Sequence, residues 1–110
     1  MLLSLIFAMA VPIQPGDNAL VCRYDPDRNG SQVILRSDGS IRFVSAEIAD
    51  KDSVMKADTF KRTSASVRYR LVMVGRTDTF DVSLKTLLGT QRLSYSNGEP
   101  EKVFHLVCER

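Results

Sequence analysis

Along most of the chain, apolar residues recur at every second position, the period of a strand with one buried face. The pattern is clearest in Phe60 to Val74, where Val67, Tyr69, Leu71 and Met73 alternate with Arg68 and Arg70. It returns in Thr79 to Leu84, where Phe80, Val82 and Leu84 alternate with Asp81 and Ser83. Gly75 to Asp78 lies between the two runs and predicts a turn, so they form an antiparallel hairpin.

Nearer the start, Ala19 to Tyr24 reads as the first strand, and Asp25-Pro26-Asp27-Arg28-Asn29-Gly30 is dense in turn formers. Gln32 to Ser37 and Ser40 to Val44 flank Asp38-Gly39, which suits a two-residue type I′ turn. That turn opposes Ile34 with Phe43 and Arg36 with Ile41, placing Ile34, Ile41 and Phe43 on the core side. The last pair is Thr90 to Ser96 and Lys102 to Cys108. A two-residue turn at Asn97-Gly98 would set Pro100 against Tyr95 and Lys102 against Leu93. A four-residue loop, Asn97 to Pro100, is therefore expected, pairing Leu93 with Phe104 and Tyr95 with Lys102 and turning Phe104, Leu106 and Cys108 inward. Two stretches break the alternation. Leu87-Leu88-Gly89 reads as one helical turn ended by glycine, and the polar segment Ser45 to Thr59 as a short strand or a helical turn.

Seven or eight short strands, no long helix and 110 residues describe one all-β domain. A small antiparallel barrel is expected, with a β-sandwich as the alternative. The barrel is preferred because the chain has two cysteines, Cys22 and Cys108, in the matching strings Leu20-Val21-Cys22 and Leu106-Val107-Cys108. A disulfide between them would tie the first strand to the last and close the sheet. The alternative is two separate buried thiols.

The start of the chain bears on compartment. Met1 to Ala10 is uncharged and ends in Ala8-x-Ala10, the small-residue pattern of a signal-peptidase site. Residues 1–10 are expected to be a signal peptide or its remnant, 11–18 a flexible entry segment, and 19–110 the β domain. A hydrophobic first strand is the other reading of the leader, and the apolar run is too short to span a bilayer as a helix. Together with a disulfide, this predicts a periplasmic or secreted protein. A net charge of +2 is too small for a nucleic-acid surface.

Candidate chemistry is sparse. The single histidine, His105, sits in a strand without an adjacent nucleophile or carboxylate, and two cysteines do not make a zinc site, so no enzyme and no cofactor are expected. Asp25-x-Asp27-x-Asn29-Gly30 matches the opening of a calcium loop, but the twelfth position is Arg36 instead of glutamate. No metal is assigned. Thr63-Ser64-Ala65-Ser66-Val67-Arg68-Tyr69 places small hydroxyl residues before a strand, with Arg68 as a forked donor for a carboxylate.

The cysteine frame and the mid-chain Ser64-Ala65-Ser66-Val67-Arg68-Tyr69 string resemble the periplasmic and membrane-bound inhibitors of c-type lysozyme (the MliC/PliC family). The resemblance implies a small antiparallel barrel whose loop enters the lysozyme cleft, and makes Ser64, Ser66, Arg68 and Tyr69 the partner-binding residues. The string here lacks the family's glycine after the second serine, and the chain has no tryptophan. Two other functions fit the same composition: a structural or accessory envelope protein docking a larger assembly, suggested by Val33 with Leu35 and Val72 with Val74, and a carrier of a small apolar ligand.

Overall fold

The computed structural model describes residues 19–45 and 52–110, so the expected signal peptide (1–10) and entry segment (11–18) lie outside the described residues. Nine strands occupy the rest: β1 Leu20–Asp25, β2 Gln32–Leu35, β3 Ser40–Val44, β4 Asp52–Lys56, β5 Thr59–Arg62, β6 Ser66–Met73, β7 Arg76–Ser83, β8 Leu88–Tyr95 and β9 Lys102–Glu109. All belong to one antiparallel sheet in the order β4-β3-β2-β1-β9-β8-β7-β6-β5, curled into a half-barrel. No helix occurs among the described residues.

The first and last strands meet in mid-sheet, where β1 and β9 pair with Cys22 directly opposite Cys108. Their disulfide joins Cα atoms 3.9 Å apart across 86 positions of sequence, and both residues are buried. The discontinuity falls elsewhere. The two outermost strands, β4 and β5, are consecutive in sequence and separated only by Ala57 and Asp58. They run in the same direction, so residues 52–62 form one extended path that leaves the ladder with β3 and enters the ladder with β6. The two switch residues divide their amides between the edges, Ala57 N donating to Gly39 O (3.0 Å) and Asp58 N to Arg70 O (2.8 Å). Where β5 fails to cover β6, the Asp58 carboxylate accepts from Val72 N at 2.6 Å, satisfying an edge amide that would otherwise template pairing.

Alternation in the sequence translates directly into burial in the long strands. In β6, Val67, Tyr69 and Leu71 are buried and their neighbours exposed; in β7, Asp78, Phe80 and Val82 are buried. These side chains fill the concave face with Leu20, Cys22, Tyr24, Val33, Leu35, Ile41, Leu106 and Cys108. Phe43 lies 6.0 Å from Phe80 ring to ring, and Phe60 lies 4.8 Å from Tyr69.

Both expected hairpin registers are corrected. Between β2 and β3, Val33 faces Phe43 and Leu35 faces Ile41, one residue away from the expected pairing. The cause is the turn. Gly39 has positive φ (89°) but Asp38 does not, which excludes type I′. Instead Gly39 N donates to Arg36 O (3.1 Å) and Arg36 N to Ser40 O (3.0 Å), a three-residue loop of Ser37, Asp38 and Gly39 with glycine in the bulge position. The Asp38 carboxylate accepts from Ser40 Oγ (2.6 Å) and Ser40 N (2.9 Å), bonds that hold its carboxyl below the usual carboxylate range. A one-residue slip exchanges faces, so Val33 and Leu35 join Ile41 in the core while Ile34 faces away from that cluster.

In the β8–β9 pair, Leu93 lies opposite Lys102 and Gln91 opposite Phe104, two residues away from the expected register. A shift of two preserves the faces, so Leu106 and Cys108 are buried as expected and Phe104 packs against the core. Pro100 causes no conflict because it lies in the loop between the end of β8 at Tyr95 and the start of β9 at Lys102, and Asn97 orders that loop by accepting from Glu99 N at 3.0 Å.

The helical turn expected at Leu87-Leu88-Gly89 is also absent. Leu87 adopts positive φ (61°) and β8 begins at Leu88. Gly89 lies within the strand because a Cβ there would stand 2.3 Å from the Asp81 carbonyl oxygen.

Candidate functional site

The serine-rich string forms the tip of the β5–β6 hairpin. One side chain fixes its shape: the Thr63 hydroxyl accepts from Ala65 N and Ser66 N, each at 3.1 Å, while Thr63 N donates to Ser66 O at 2.9 Å. A further bond, Leu84 N to Ala65 O (2.9 Å), pins the tip to the chain leaving β7. Ser64 and Ser66 are exposed on this rigid turn. Arg68 follows on the convex face of β6, with its Nε on Asp81 Oδ1 at 2.7 Å. That pair is solvent-exposed and contributes little to stability, so a partner's carboxylate can compete for the guanidinium.

Tyr69 departs from the expectation. It points into the concave face, is 2% exposed, and donates its hydroxyl to Arg36 O at 2.6 Å. Strand alternation is the reason, since Tyr69 and Arg68 must face opposite sides. Of the four, Ser64, Ser66 and Arg68 are exposed, while Tyr69 anchors the β2–β3 turn.

His105 is exposed on the convex face of β9, opposite Thr90 and Asp25. The calcium-like loop closes on itself, with Asp27 Oδ1 accepting from Gly30 N at 3.1 Å. Among the described residues, no cluster of three or more His, Cys, Asp or Glu side chains could hold a metal.

The most connected polar group inside the half-barrel escaped the sequence reading. The Tyr24 hydroxyl donates to Gln91 Oε1 at 2.5 Å, Gln91 Nε2 donates to Asp78 Oδ2 at 3.2 Å, and Arg76 grips both oxygens of Asp78 through Nε (2.7 Å) and Nη2 (3.1 Å). Asp78 is 0% exposed, yet its charge meets a bidentate fork and no buried side-chain polar atom among the described residues lacks a partner. A signal existed. Extending the Phe80, Val82 alternation backward by two puts Asp78 on the inner face, and Arg76 two residues earlier shares that phase.

Burial pushes the Tyr24 phenol from 10.0 up to about 12, against the neighbouring Arg28 charge, which favours the phenolate. The sign follows from proton uptake. Between pH 10 and 12 the folded chain holds a proton at Tyr24 that the unfolded chain has lost, so this contribution is complete below pH 10 and disappears as pH rises through 12. Alkaline titration of chemical stability is expected to show a loss of about 2–3 kcal/mol across this interval. In Tyr24→Phe that slope should be missing; an unchanged slope would rule Tyr24 out as its source.

A cleft of ≈ 420 Å³ opens at the end of the half-barrel beside the β1–β2 loop, lined by Tyr24, Arg28, Ser31, Gln32, Phe43 and Ser53 among others. Arg28 sits against two rings, its guanidinium carbon 4.1 Å from the Phe104 centroid and 5.1 Å from that of Tyr24. No helix among the described residues is long and apolar enough to cross a membrane. Compared with protein-family models, with curated proteins and with solved structures, the chain matches none.

Proposed function

We propose that this chain is a non-catalytic binding protein of an oxidising compartment, periplasmic or secreted, that blocks a lysozyme-like cell-wall hydrolase with the tip of its β5–β6 hairpin. The observation that carries the reading is the preorganised turn. Ser64 and Ser66 are presented on backbone held by the Thr63 hydroxyl and by Ala65 O, so little conformational entropy is lost when a partner closes over them. Arg68 adds two terminal guanidinium nitrogens beside the exposed serines, suited to the carboxylates of a glycosidase cleft. The buried disulfide supports the compartment, because such bonds persist where thiols are not kept reduced.

Purified protein is expected to suppress cell-wall lysis by a c-type lysozyme at micromolar concentration. Ser66→Tyr with Arg68→Glu should abolish that effect, since a bulky ring and a reversed charge oppose insertion. Both positions are exposed, so the fold should be retained. Undiminished lysis in the presence of the wild-type protein would end the proposal.

A second reading, docking to a larger envelope assembly, rests on Val72 and Val74, which are 49% and 105% exposed at the outer end of the β6–β7 hairpin. Val33 and Leu35 do not contribute to it, because both are fully buried. The apolar-carrier reading gains no support from a concave face packed with the chain's own side chains, among them Tyr69, Phe80 and Leu106.

A further inference from the structure

The cleft beside the β1–β2 loop lies at the opposite end of the half-barrel from the hairpin tip, so it is a separate site from the one above. Its chemistry is asymmetric. Arg28 forms one boundary and makes no ion pair with any carboxylate among the described residues. The loop's own acids, Asp25 and Asp27, line a different hollow on the other side of Arg28, together with Val103 and His105. Among the described residues, those lining the cleft include no acidic side chain. It offers the neutral hydrogen-bonding groups of Ser31, Gln32 and Ser53 and the ring of Phe43.

We propose that this cleft binds a small polyhydroxylated carboxylate of the acidic-saccharide class, with Arg28 holding the carboxylate. Contact with the Phe104 and Tyr24 rings, which stand at 82° to each other, confines the guanidinium, whose N–H groups form a fork that matches a carboxylate in two parallel hydrogen bonds. The ring contacts also limit the rotamer entropy that a free arginine would lose on binding. Ser31, Gln32 and Ser53 supply neutral donors and acceptors for sugar hydroxyls, and Phe43 an apolar wall for a pyranose face. A volume of ≈ 420 Å³ falls within the ordinary range of small-molecule sites. The turn that carries Arg28 is fixed by positive φ at Asn29 (57°) and Gly30 (74°) and by the bond from Gly30 N to Asp27.

The test is an amide-shift titration of the whole chain with D-glucuronate, D-glucose and inorganic phosphate, repeated on Arg28→Gln, Arg28→Lys and the distant control Lys85→Gln. Glucuronate is expected to shift amides of residues 28–32 and 43–45 saturably in the millimolar range. Glucose, which lacks the carboxylate, should bind about tenfold more weakly or not at all. Arg28→Gln should weaken glucuronate about tenfold, Arg28→Lys should keep part of the affinity because its charge remains without the planar fork, and Lys85→Gln should match the wild type. Three results would each overturn the proposal: no saturable shift with glucuronate, phosphate binding as tightly as glucuronate, or Arg28→Gln binding unchanged. The outcome is independent of the lysis assay, which reads the other end of the molecule.

Discussion

Replacing both cysteines, Cys22→Ala with Cys108→Ala, is expected to reduce unfolding stability by about 4–5 kcal/mol, the largest change any single covalent edit should produce here. The bond closes a loop spanning 86 positions, nearly the whole described domain, and in the chain-entropy model such a loop restricts the unfolded ensemble by about that amount. A domain of this size has a net stability of about 5–15 kcal/mol, so the edit removes a large fraction of it. Alanine avoids burying a hydroxyl at positions that are 0% and 4% exposed. Urea denaturation should show a lower midpoint and a steeper dependence on denaturant, because the uncrosslinked unfolded chain exposes more surface. The β1–β9 ladder, with Val21 opposite Glu109 and Tyr24 opposite Leu106, should persist in the folded variant, since its backbone pairing does not require the sulfurs. A stability loss below about 1 kcal/mol would show that the pairing, and not the covalent closure, confines the chain ends.

The second large effect is expected at Arg76. Substituting methionine keeps much of the aliphatic stem but leaves the Asp78 carboxylate, 0% exposed, with Gln91 as its remaining side-chain donor. Breaking a buried ion pair from one side costs about 3–5 kcal/mol, and the 38% exposure of the Arg76 side chain places this case near 3. The measurement is a double-mutant cycle by chemical denaturation. In an Asp78→Asn background no buried charge is left behind, so Arg76→Met should then cost less than about 1 kcal/mol. Equal costs in both backgrounds would mean that Arg76 acts through packing alone.

The parts of the fold legible in the sequence were those governed by alternation and by the cysteines. Val67, Tyr69 and Leu71 declare an inner face at a glance, and the repeated Leu-Val-Cys strings locate the two strands that pair. Turn geometry was harder to read. Asp38-Gly39 fits both a two-residue loop with Asp38 at positive φ and a three-residue loop that takes in Ser37, and choosing between them moves every side chain of β2 to the other face. The path from β4 to β5 was hidden because Ala57-Asp58 carries no glycine or proline to mark a boundary; the chain there does not reverse, it changes partners. Arg68 and Tyr69 are adjacent letters in the serine-rich string, but strand alternation puts them on opposite faces, one exposed and one buried. The Tyr24, Gln91, Asp78 and Arg76 chain draws on four positions from three strands, and only the observed register brings them together.

Strand direction separates the two candidate surfaces. Leu20 and Glu109 lie at the same end of the half-barrel as the Ser64 turn, where the Arg110 guanidinium reaches Leu84 O at 2.7 Å. Arg28 lies beyond the far end of β1, a strand's length of about 20 Å away. A tether joined directly at Leu20 or at Glu109 would hold the serine turn toward whatever it was tied to and direct the arginine mouth into open solvent. Anchorage would therefore select which of the two ends could be reached from outside.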